Sequence, residues 1–252
     1  MIMHNKFIFS ILTLCLLFIS CHKEEDTTTK LTLQFSFTEN GNEVLLDTLL
    51  YTNAAGNLYE INEIKYFISD LKLTTTKGET IEIQDHEGVH YIDLALPYTL
   101  SWTIADSLPI DNYAAISFRL GLTGKKNTTH YFVNPPENNM AWPETLGGGY
   151  HYLMINGKWM KDDALTPFNF HAGRTFGENQ ETSDPTFITT ITHPTFSLKK
   201  GQNNMVINME VNNWFENPTI FDFNHFGGSI MTNIEAQEAI KSNGHDVFSI
   251  KF

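Results

Sequence analysis

Leu31 to Phe37, "LTLQFSF", alternates strictly between apolar and polar side chains, the two-residue period of a strand with one buried face. The pattern returns along the chain. "YEINEIKYFISDLKLTT" is rich in β-branched and aromatic residues and ends at the turn "KGE"; "TIEIQD", "VHYIDL", "YTLSWTI" and "YAAISFRLGLT" follow, then "FITTITHPTFSL" and "NNMVINMEVNNWF". Strands at this spacing, joined by hairpin-length turns with few helical periods between them, predict antiparallel pairing. The expected fold is all-β, an antiparallel β-sandwich or Greek-key-like domain with a short helix near the C-terminus. No segment repeats at a fixed period, which argues against a solenoid or propeller. A 252-residue chain with 41% hydrophobic residues can close one large core and needs no second domain.

The helix is expected in "TNIEAQEAIKSNG". Thr232 and Glu235 have capping-box spacing, Ala236, Ala239 and Ile240 share a face, and Gly244 stands at the stop, ahead of a last strand "DVFSI".

The first twenty residues read as a targeting segment rather than as part of the fold. Lys6 supplies a positive n-region and Phe7 to Ile19 is almost unbroken apolar, too short to span a bilayer comfortably, so residues 1–20 are expected to be a signal peptide. "FISC", Phe18 to Cys21, resembles a bacterial lipobox with Phe18 in the usual place of Leu. The following "HKEED" resembles the acidic surface-export signal of Bacteroidetes-type lipoproteins. That resemblance makes Cys21 the lipidated N-terminus of an outer membrane lipoprotein, periplasmic or surface-exposed, with the lipid bilayer as its partner. Residues 21–30 then form the anchor and a polar tether, and 31–252 the folded domain. Cys15 leaves with the signal, so no disulfide forms despite an oxidising compartment, and core packing must stabilise the domain.

Loss of residues 1–20 removes only Lys6 among charged groups and takes the net charge from −13 to −14. Such an acidic chain is a poor partner for nucleic acid or anionic membrane surfaces, and is compatible with a metal ion or a cationic partner.

Chemistry concentrates in Met140 to Gly173, "MAWPETLGGGYHYLMINGKWMKDDALTPFNFHAG". Gly147 to Gly149 lack the lysine of a P-loop and the spacing of a dinucleotide fingerprint, and they lead into the strand-like "YHYLMI" rather than a helix. Their expected role is a bulge or a close backbone approach. His151 and His171 fall on two short alternating segments with a tight connection between them. Paired strands would set the two imidazoles side by side as metal ligands, and imidazole suits copper, zinc, iron and nickel. Met140 and Met154 nearby would tolerate copper(I). Trp142 precedes Pro143 and is biased to an extended backbone beside the glycine turn; Trp159 reads as a core aromatic. His86 and His90, spaced as on a helix around an acidic turn, are expected to face solvent. His130 and His193 read as loop or strand-edge residues. No nucleophile elbow, HExxH or acid/base pair occurs, so the chain is expected not to be an enzyme.

The central stretch, with "IKYFISDLKL" upstream and "FNHFGGSIMTNIEAQEAIKSNGHDVFSI" at the end, resembles the MbnP-like proteins, a family named after the copper protein of methanobactin operons. The likeness extends over roughly Leu31 to Phe252. It implies a β-rich periplasmic protein with a copper ion as cofactor, held by histidines and a kynurenine made from tryptophan by a dihaem enzyme of the cytochrome c peroxidase type. His151 and His171 are the first ligands that the resemblance implies, and Trp142 is the first candidate for modification, with Trp159 second. The sequence departs from the family pattern in having Gly149, not tryptophan, two residues before the ligand histidine. His225, in the glycine- and aromatic-rich "DFNHFGG", is a third ligand candidate. The expected function is copper acquisition, storage or delivery in the cell envelope; the alternative is a surface adhesion or assembly module whose aromatic motif is only core.

Overall fold

A computed structural model of the chain describes residues 27–176 and 182–252. The signal segment and Cys21 lie outside the described residues. The principal strands are β1 (Thr28–Glu39), β2 (Leu58–Thr75), β3 (His90–Asp93), β4 (Ser101–Thr103), β5 (Asn112–Leu120), β6 (Leu153–Lys161), β7 (Ala164–Ala172), β8 (Phe187–Ile191), β9 (Gln202–Glu210) and β10 (Phe248–Lys251). Two helices, α1 (Phe223–Phe226) and α2 (Ile234–Asn243), precede the last strand. β1 starts three residues ahead of the expected domain start, because Thr28 and Thr29 already pair with Pro109 and Leu108.

Two sheets face each other. The smaller runs β10–β9–β1 with β4 on the other edge of β1, and the larger runs β7–β6–β2–β5–β8 with β3 also on β2. Each alternating segment sends its apolar set to the space between them. Leu33, Phe35 and Phe37 of β1 and Met205, Ile207 and Met209 of β9 meet Ile64, Tyr66, Ile116, Phe118, Ile155 and Phe170 of the larger sheet in one buried cluster. Edge-on aromatic pairs cross the gap: Phe37 to Tyr66 at 6.1 Å and Phe118 to Phe248 at 5.2 Å. Burial of each such side chain contributes roughly 1.5–3 kcal/mol, the source of stability in a domain without cross-links. The antiparallel expectation holds for the pairs in the larger sheet. β1 and β9, however, pair parallel, Lys30 opposite Gln202 through Thr38 opposite Glu210. That pairing joins segments about 170 residues apart, which no local turn signal can announce.

The eighteen-residue β2 changes partner along its length. Its first half, Tyr59 to Tyr66, pairs with β6, and its second half, Ile68 to Thr75, pairs with β5. At the changeover the Phe67 N–H donates to the Tyr152 carbonyl and the Phe67 carbonyl accepts from Gly121 N–H. Gly121 has φ +90, and a Cβ there would lie 2.5 Å from the Tyr152 ring, so only glycine lets the two partners meet. On this outer face of the sheet a second apolar cluster forms from Phe67, Val89, Tyr91, Leu122, Met140 and Tyr150. The irregular segment between β5 and β6 covers it with short 3-10 turns.

α2 appears where the sequence puts it, with a different cap. Asn233, not Thr232, is the N-cap, its side chain accepting from Ala236 N–H. Asn and Thr both serve at N-caps, and here the helix enters one residue later.

Candidate metal centre

His151 and His171 come together under that covering segment. Met140 to Trp142 run antiparallel to Gly149 to His151: Ala141 bridges Tyr150, Trp142 N–H donates to the Gly149 carbonyl at 2.9 Å and His151 N–H to the Met140 carbonyl at 2.7 Å. The connecting turn needs all three glycines in the left-handed region, at φ +115, +66 and +87. It also packs tightly: a Cβ on Gly149 would lie 2.4 Å from Asn127 Oδ1 and 2.8 Å from the Asn127 carbonyl. The close-approach role expected for the glycines is the one they play. The strand proper begins only at Leu153, so His151 sits just before β6 rather than in it.

His171 lies near the end of β7, opposite Met154. The face it shares with Met154 and Asn156 is the outer one, away from the inter-sheet core. The two imidazoles stand edge to face, with centroids 4.9 Å apart and planes at 88°, and the Trp142 indole meets His151 at 4.7 Å and 73°. Gly173 makes room for the indole, since a Cβ there would lie 2.5 Å from its six-membered ring. His151 and His171 are 7% and 8% exposed and Trp142 2%.

Each imidazole spends one nitrogen on the protein. His151 Nδ1 is 3.0 Å from the Met140 carbonyl, which can only accept, so Nδ1 carries the hydrogen. His171 Nε2 is 2.7 Å from Asn156 Oδ1. The other nitrogens, His151 Nε2 and His171 Nδ1, are buried without a hydrogen-bond partner among the described residues, as is Trp142 Nε1. Burial lowers the basicity of both rings, His171 to about 3 with the neighbouring His151 adding to the effect. Both are therefore neutral at pH 7. An orphaned buried nitrogen costs roughly 1–3 kcal/mol, and a metal ion bound by both rings, whose centroids lie 4.9 Å apart, would satisfy the two.

The remaining sequence candidates are placed elsewhere. His225 is on α1, its side chain 61% exposed and its Nε2 3.6 Å from Glu235. Among the described residues no group of three or more His, Cys, Asp or Glu is arranged to hold a metal, so the structure does not bring His225 to the pair. Trp159 is buried in the inter-sheet core against Phe223. His90 corrects the expectation of a solvent-facing residue: it stacks between Phe35 at 5.2 Å and Trp102 at 5.0 Å and donates to the Thr99 carbonyl, and burial lowers its pKa to about 4. The helical spacing read for His86 and His90 fails because only His86 lies in the 3-10 turn, Asp85–Gly88, while His90 opens β3. A cavity of about 840 Å³ beside His90, lined also by Trp102, Tyr98 and Phe132, includes neither His151 nor His171.

The sequence profile of the MbnP family matches residues 28–232. The chain belongs to the MbnP family. MbnP from Methylosinus trichosporium is similar in structure, with a TM-score of 0.58 over 88% of this chain and 98% of that one, at 13% sequence identity. At that identity the likeness establishes the fold alone. Comparison with curated protein sequences gives no match.

Within this MbnP-family chain, several residues that hold the centre were not legible as site residues. Gln237 of α2 is wholly buried and donates to the His171 carbonyl at 2.7 Å and to the Ile230 carbonyl, while its Oε1 accepts from Gly173 N–H. A glutamine on the apolar side of a helix, between Ala236 and Ile240, is the signal that could have found it. Asn127 accepts from Tyr150 N–H and donates to the Tyr152 hydroxyl on either side of His151. Asn156 and Glu63 are visible only once the register of β2 against β6 is known.

Proposed function

We propose that this protein is a cell-envelope lipoprotein that binds copper through His151 and His171 and serves in acquisition, storage or delivery rather than catalysis. One observation carries the reading: two neutral imidazoles, 4.9 Å apart, each with a buried nitrogen that has no hydrogen-bond partner among the described residues. Membership of the MbnP family supports copper among the metals that imidazole suits. The absence of a carboxylate from the ligand set favours an ion of low charge, because a divalent ion buried there would lack a compensating anion. Trp142, edge-on to His151, is the residue proposed for oxidative modification, with a dihaem enzyme of the cytochrome c peroxidase type as the partner that performs it. Cys21 is the proposed lipid attachment, holding the domain at the outer membrane on its periplasmic or outer side.

The test is elemental analysis of protein purified from its native envelope, with peptide mass spectrometry across residues 140–161. About one copper per chain is expected, lost in His151→Ala and His171→Ala while the far-ultraviolet circular dichroism stays unchanged. Native protein without copper refutes the reading and favours the surface adhesion or assembly module.

A further inference from the structure

Asn156 connects two elements across β6. It stands directly opposite Glu63 of β2, and on the other edge reaches His171 of β7. Its Nδ2 donates to Glu63 Oε2 at 2.7 Å and its Oδ1 lies 2.7 Å from His171 Nε2. Glu63 is itself paired with the Lys65 ammonium, which also lies 3.9 Å from Asp93.

These contacts fix where the hydrogens are. A carboxylate held against an ammonium can only accept, so the nitrogen end of the Asn156 amide must face Glu63 and the oxygen end must face His171. An amide oxygen can only accept in turn, so His171 Nε2 carries the hydrogen. A neutral imidazole has one N–H, which leaves Nδ1 as the lone-pair nitrogen, the atom that is buried with no partner among the described residues. At His151 a backbone carbonyl imposes the opposite tautomer, Nδ1–H with a free Nε2.

We infer that Glu63 and Asn156 are positioning residues that lock His171 in the Nε2–H tautomer and so make Nδ1 its metal-binding atom, giving the centre one Nδ1 and one Nε2 donor. The inference rests on the metal-binding reading above. Hydrogen-bonded residues behind a ligand histidine set its tautomer and ring orientation, and losing one typically lowers metal affinity about 10–100-fold.

The experiment uses the full chain in detergent, labelled with ¹⁵N-histidine and free of metal. Long-range imidazole spectra at pH 7 are expected to show His171 with a protonated Nε2 and a pyridine-like Nδ1. Asn156→Leu should give a tautomer mixture and, in competition with a copper(I) chelator, an affinity about 10–100-fold weaker. Asn156→Asp alone places two carboxylates together and should also weaken binding. Combined with Glu63→Gln it should recover most of the loss, because a carboxylate at 156 accepts from both the new amide and His171. That recovery separates a tautomer lock from mere packing, and it does not depend on Asn156→Leu folding well. His171 found as Nδ1–H in copper-binding protein overturns this inference alone, as does a double variant no tighter than Asn156→Asp. Wild-type protein that holds no copper overturns the functional reading instead, and with it the ligand role of Nδ1.

Discussion

At the scale of single residues, the centre depends on groups held where they are costly, and a second such group lies far from it. Glu39 ends β1, is 2% exposed, and accepts from the Tyr59 hydroxyl through Oε1 while Oε2 has no partner among the described residues. Burial raises its pKa to about 7, with Glu210 and Glu216 adding to the rise and the Tyr59 hydrogen bond opposing it. A carboxyl whose folded pKa lies above its unfolded value binds its proton more tightly in the native state. The contribution of this group to stability therefore falls as pH rises from about 4.5 to about 7 and is level above that, a loss on the order of 3 kcal/mol. Glu39→Gln keeps an acceptor for Tyr59 and removes the charge. Urea denaturation at pH 5 and pH 8 should show a large difference in the wild type and a much smaller one in the variant; equal differences would reject the assignment. A glycine of the site turn gives a second residue-scale prediction. Gly149→Ala meets both a left-handed φ and a 2.4 Å contact with Asn127 Oδ1, whereas Gly41→Ala, at φ +76, meets nothing within 4 Å. The first is expected to cost roughly 2–4 kcal/mol and to weaken copper binding by moving His151; the second roughly 1 kcal/mol with no effect on copper. Denaturation midpoints and a chelator titration read both quantities.

At the scale of elements, α2 acts on the end of β7 through Gln237, which holds the backbone on both sides of Ala172. Gln237→Leu leaves the His171 and Ile230 carbonyls and the Gly173 N–H without that partner in a buried place. A destabilisation of roughly 2–4 kcal/mol is expected, together with faster amide exchange at Tyr152, which donates to the Ala172 carbonyl. Unchanged exchange there would show that the helix is only packed against the strand. The elements differ in how readable they are. β1, β2, β5 and β9 show in the sequence because one face of each is buried and the other is not, which forces the alternation. The parallel pairing of β1 with β9 does not show, since the period of a strand is silent about its neighbour. His151 and His171 could be singled out because β6 and β7 are consecutive and joined by a short turn, so local register nearly sets their approach. Asn156 and Glu63 could not, because their meeting depends on how β2 lies against β6, nearly a hundred residues away. The environment of His90 is hidden for the same reason: the rings that stack on it come from β1 and β4.

At the scale of the whole molecule, the centre ties the covering segment to the larger sheet. Met140 and Tyr150 pack in the outer cluster while the backbone of Met140 holds His151, and His171 belongs to a strand whose other face, at Phe170, is part of the main core. An ion that joins the two histidines therefore binds the folded state and not the unfolded one, and must raise the stability of the domain as a whole. Copper(I) held at a free concentration of one hundred times its Kd adds about 2.7 kcal/mol. For a domain of this size that corresponds to a rise in Tm of roughly 5–10 °C. The rise should vanish in His171→Ala and should be smaller for zinc(II) at the same concentration, since the centre offers a divalent ion no carboxylate. Differential scanning calorimetry of metal-free and copper-loaded protein decides it. If copper binds at about one per chain and Tm does not move, the ion sits on a surface that persists in the unfolded chain, and the buried pair of imidazoles is not its site.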